Sequence, residues 1–182
     1  MKNLTKLIGI TIFVVVIGFS MAACQNDTTP SGGGNPTPTP AEGWKSVTSL
    51  NQLDGTWKAT STNTENLGAE DGVDLTGVTA AATTEITMVV NASAGTYSMS
   101  IKLTIKFSGT NVDSKWDTIK STLGDELTYA DSTKTATMMI SDSDSITLSD
   151  VNSANIQINS SGTKVKLPAS FTGSDEMILT KS

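Results

Sequence analysis

Eighteen carboxylates and twelve lysines are the only charged side chains in this 182-residue chain, which has no arginine, no histidine and a single cysteine, Cys24. Without an imidazole there is no Ser-His-Asp or Cys-His relay and no histidine-held zinc, and one cysteine forms no internal disulfide. Without arginine there is no planar fork for a phosphate or a guanine edge. A formal net charge of -6 opposes a nucleic-acid partner, whose phosphates require a basic surface. Carboxylate chemistry remains. Asp142, Asp144 and Asp150 form the densest acid cluster. A calcium loop would need a further acid near Ile146, a glycine at Thr147 and a glutamate at Ser153, and none is there. Glu65, Glu70, Asp71 and Asp74 fall within residues 61–82, which read as a long loop, and their spacing selects no glycosidase-like pair. The reading is of no enzyme, no metal and no cofactor, with a carboxylate-dependent hydrolase as the outlying hypothesis.

Apolar chemistry is better represented. Tyr97, Met99, Ile101, Leu103, Ile105 and Phe107 occupy every odd position of one stretch, with Ser98, Ser100, Lys102, Thr104 and Lys106 between them. That strict alternation is the pattern of a half-buried strand. Upstream, Ile86, Met88 and Val90 repeat the pattern, and residues 91–95 read as the hairpin connection. If these strands enclose an interior, Met88, Tyr97, Met99, Ile101, Leu103, Ile105 and Phe107 line it. The two methionines would suit a small, loosely specified apolar ligand. The competing expectation is a dry core filled by the same residues. Trp116 and Tyr129 belong either at the mouth of such an interior or, as the favoured reading, against the outside of the sheet.

Strands must position this stripe. Serine and threonine together number 51, which favours strands and turns over helices. After Asp54-Gly55, Trp57, Ala59 and Ser61 share one face of a first strand; further strands are expected at residues 126–129, 135–141, 145–149, 154–159, 163–167 and 176–181. About eight or nine strands in sequence imply an all-β, antiparallel meander, closed into a barrel or folded as a sandwich. One helix interrupts it, with Asp113 as N-cap, Trp116, Ile119 and Leu123 on one stripe and Gly124 as the stop. A short helical turn is expected within residues 46–53.

The amino-terminal part reads as targeting rather than fold. Lys2 and Lys6 precede an uncharged apolar run, residues 7–17, whose helix would cover about 16 Å of a bilayer core about 30 Å thick. A cleaved signal over residues 1–23 fits that length better than a span. Met21-Ala22-Ala23-Cys24 resembles a bacterial lipobox, with methionine where Leu, Val or Ile is usual. The resemblance implies that Cys24 becomes the first mature residue and carries the lipid that holds the protein on a membrane. Gln25 in place of aspartate implies the outer membrane of a bacterial cell envelope, by analogy with enterobacterial sorting. Residues 24–43 hold four of the five prolines and a glycine triplet, the composition of a disordered tether. Residues 44–182 are left for one domain.

Gly55-Thr56-Trp57-Lys58, following Leu53-Asp54, resembles the opening strand of lipocalin-like bacterial lipoproteins. The resemblance extends to the lipobox, the tether and the closing Met177-Ile178-Leu179-Thr180-Lys181. It implies a lipocalin-like barrel with Trp57 plugging one end and Lys181 standing where an arginine usually covers that ring. It implies a carrier of a small apolar ligand as the first function. A filled, non-catalytic surface or interaction module is the second.

Overall fold

The computed structural model describes residues 43–70, 72–168 and 176–182. The expected leader, Cys24 and the expected tether up to residue 42 lie outside them. Nine strands run in chain order: β1 (Trp44–Ser46), β2 (Gly55–Glu70), β3 (Val73–Asn91), β4 (Thr96–Ser108), β5 (Thr128–Ala130), β6 (Thr135–Ser145), β7 (Gln157–Asn159), β8 (Lys164–Leu167) and β9 (Met177–Lys181). They form one antiparallel sheet ordered β1-β7-β8-β9-β2-β3-β4-β6-β5. The end strands β1 and β5 do not pair with each other, so the expected barrel is not closed, and the strands share one sheet rather than the two of a sandwich. Strand length gives the reason. β2 and β3 have 16 and 19 residues, whereas β1, β5 and β7 have three each. Closure needs a full-length edge on both sides of the seam, and the end strands do not supply one.

The β2–β3 hairpin replaces the long loop expected at residues 61–82. Glu70 pairs with Val73, and Gly72 takes a φ of 83° at the turn. The β3–β4 hairpin lies where residues 91–95 predicted it: Asn91 Oδ1 accepts from the Ala94 N–H at 3.0 Å, and Asp54 Oδ1 accepts from the Ala92 N–H at 2.8 Å. Helix α1 (Val112–Leu123) follows β4; its N-cap is Asn111 rather than the expected Asp113, which sits in the first turn. Gly124 ends it, its N–H bonding the Lys120 carbonyl at 2.9 Å.

Two further expectations are corrected near the carboxyl-terminal half. Asp142-Ser143-Asp144 is not a turn but part of β6. The strand expected at residues 145–149 gives way to helix α2 (Leu148–Ser153), which opens on a capping box: the Asp150 N–H donates to Thr147 Oγ1 at 3.2 Å, and Asp150 Oδ2 accepts from the Thr147 N–H at 2.9 Å. The helical turn near residue 50 is a single 3-10 turn, Leu50–Gln52, capped by Ser49.

One face of the sheet carries two packed cores. The first gathers Trp57, Ile86, Met88 and Val90 with Val151 of α2 and the inward residues of β7, β8 and β9. The second gathers Val78, Leu103, Ile105 and Phe107 under Trp116 and Ile119 of α1. At roughly 3.3 Å per residue, β3 is about 60 Å long, enough to reach through both.

Candidate functional site

The antiparallel register puts the whole predicted stripe on one face: Tyr97 stands opposite Val90, Met99 opposite Met88, and Ile101 opposite Ile86. The structure does not bring the stripe around a common interior. Met88 belongs to the first core, with Tyr97, Met99 and Ile101 partly buried against it, and Leu103, Ile105 and Phe107 belong to the second. Thr84, opposite Leu103, marks the boundary. Its residue is 5% exposed and its Oγ1 has no hydrogen-bond partner. Thr84 is the one polar residue at the even positions from Val78 to Val90, and that break was the available sequence signal for a division of the stripe.

Trp57 is fully buried, but as a core residue of an open sheet rather than a barrel plug. Its Nε1–H donates to the Leu53 carbonyl at 2.6 Å. Lys181, paired with Trp57 across β2 and β9, puts Nζ 5.1 Å from the ring centroid, the position the resemblance gave it. Trp116 is buried against Phe107 and Tyr129, both edge-on, at 5.8 and 6.0 Å between centroids. Its Nε1–H donates to Asp131 Oδ1 at 2.7 Å. That bond holds the Asp131 carboxyl below its ordinary range, and Lys120 and Lys134 reinforce it. Trp116 is a packing residue that ties α1 to the turn before β6.

The depression at the end of the β3–β4–β6 ribbon has a volume of about 330 Å³ and is lined by residues that include Val89, Asn91, Tyr97, Ser98 and Asp144. Of the predicted ligand-lining residues, only Tyr97 reaches it. The Tyr97 hydroxyl donates to Asp142 Oδ2 at 3.3 Å. Burial pushes its pKa up, and the charges of Asp142 and Asp144 act in the same direction. A phenol held protonated beside carboxylates can donate a hydrogen bond.

The acids weighed from the sequence do not converge. Asp74 accepts from the Thr76 N–H at 2.9 Å and pairs with Lys115 at 3.0 Å; these contacts, those with Thr76 first, hold it well below the carboxylate range. Asp150 is engaged in the α2 cap, which also lowers its pKa. Glu65 lies on β2 opposite Ala80. Among the described residues no three His, Cys, Asp or Glu side chains are grouped to hold a metal ion, and no helix is long and apolar enough to cross a membrane.

Sequence reasoning overlooked the outer edge of β6. Met139 and Ile140 are 70% and 51% exposed, on opposite faces of the strand. The run Met138-Met139-Ile140, in which adjacent large apolar residues cannot all share one face, was the signal for it. Fold and site together define a mostly-β protein built on a nine-strand antiparallel sheet with short helices. No protein-family model, no curated protein and no solved structure matches the chain.

Proposed function

We propose that this protein is a lipid-anchored, non-catalytic interaction module of a bacterial cell envelope, held at the outer membrane through Cys24 and displayed on the tether of residues 24–43. One observation carries the choice over a lipocalin-like carrier of a small apolar ligand: the candidate lining residues from Met88 to Phe107 are divided between two packed cores. A carrier needs an interior larger than its own side chains fill. Leu103→Ala in a packed core should cost about 2–5 kcal/mol of stability, measured by denaturant unfolding. An environment-sensitive apolar dye should show no saturable binding to the wild type. A stoichiometric dye titration together with a small loss at Leu103 would restore the carrier. The anchor has its own test. Cys24→Ser should abolish metabolic acyl labelling and detergent-phase partitioning, and unchanged labelling would defeat the lipoprotein reading.

A further inference from the structure

The outer edge of β6 is the sheet's unfinished side. β5 pairs with it only over Thr135 to Thr137, and from Met138 to Ser145 it has β4 on one side and no strand on the other among the described residues. The ladder alternates, and the Lys134 carbonyl and the Ile146 N–H are turned toward β4 and its turn. The odd residues Met139, Ser141, Ser143 and Ser145 therefore present their N–H groups outward. Asp142 and Asp144 cap two of these, accepting from the Ser143 N–H at 2.9 Å and the Ser145 N–H at 2.7 Å. Met139 and Ser141 have no such cap. Beside them lie the exposed Met139 and Ile140, and then two carboxylates with no ion pair among the described residues.

We propose that this edge receives an extended basic segment of a protein partner by antiparallel strand addition. The partner carries apolar side chains opposite Met138 and Ile140 and lysine or arginine opposite Asp142 and Asp144. Main-chain bonds to Met139 and Ser141 supply affinity, and the side chains supply selection. Charge argues for this occupant. A second copy paired about Ser141 would set Asp142 against Ile140 and Asp144 against Met138, with four carboxylates on one face of the seam and no cation. The protein's own residues 24–42 contain no lysine and no large apolar side chain.

The inference rests on the interaction-module reading and is tested on the full mature chain in detergent. The probe is a fluorescent peptide, Thr-Lys-Thr-Lys-Thr-Val-Thr-Val, blocked at both ends and titrated by anisotropy. Saturable binding is expected, with at least about tenfold weaker binding when both lysines are glutamate. Ser141→Pro removes an outward N–H, a place where an edge strand tolerates proline, so it should abolish binding while leaving the far-UV circular dichroism unchanged. Should that variant misfold, a peptide N-methylated at alternate residues serves instead and should not bind. Equal binding of the methylated peptide, binding by folded Ser141→Pro, or no binding of the lysine peptide at millimolar concentration would each overturn the proposal. So would a concentration-dependent dimer that Ser141→Pro dissociates, because the occupant would then be a second copy. Failure of the module reading would register separately, in the apolar-dye titration.

Discussion

Thr84 carries the sharpest consequence at the level of a single side chain. Its hydroxyl is buried without a partner where the two cores meet. An unsatisfied buried polar group costs about 1–3 kcal/mol, and valine has the same branched shape without that cost. Thr84→Val should therefore raise stability by about 1 kcal/mol, read as a higher denaturation midpoint at unchanged slope. A lower midpoint would mean that the hydroxyl has a partner in solution. Thr84→Ala would remove the buried methyl group as well as the hydroxyl, so it is not the equivalent substitution. Trp57 and Trp116 show the ordinary solution to the same difficulty: each buried indole N–H has found an oxygen, one on the Leu53 backbone and one on Asp131.

Among the elements, α2 depends most on its end group. Six residues make fewer than two turns, too short for a helix to persist through its own backbone bonds. The Thr147–Asp150 capping box and the burial of Val151 supply what the backbone does not. Thr147→Ala should cost about 1 kcal/mol in thermal or chemical unfolding. An unchanged midpoint would assign the helix to packing alone. The box was present in the sequence as Thr147-Leu148-Ser149-Asp150. Residues 145–149 read as strand because Ile146 and Leu148 alternate with polar neighbours. The β2–β3 hairpin was missed in a comparable way. Asp71-Gly72 is a strong turn signal, but residues 58–66 and 79–85, which make up most of the two strands, contain no large apolar residue, so periodicity does not register along them.

For the whole molecule, the question is whether two cores make one cooperative unit. β3 and β4 pass through both, and Ile101 of the first core is two residues from Leu103 of the second. Loss of either core releases strands that the other needs. Unfolding should therefore be two-state. With Trp44 also replaced by phenylalanine, Trp57→Phe leaves fluorescence from Trp116 and the second core, and Trp116→Phe leaves it from Trp57 and the first. In each variant the fluorescence midpoint should coincide with the far-UV midpoint. Separated midpoints would show that the ribbon between the cores melts independently of at least one of them.

The sequence by itself determined the β class, the alternating stripe from Tyr97 to Phe107, the hairpin at residues 91–95 and the helix that ends at Gly124. Each is written in local order, by period two, by a turn cluster or by a helix stop. Tertiary structure decided that the sheet stays open and that the stripe divides into two cores. It decided that Trp57 closes no barrel and that the outer edge of the second half of β6 has no strand beside it among the described residues. Periodicity reports which side chains share a face. It carries no information about what lies against that face or beside that edge, because those partners are brought there by strands and helices distant in the chain.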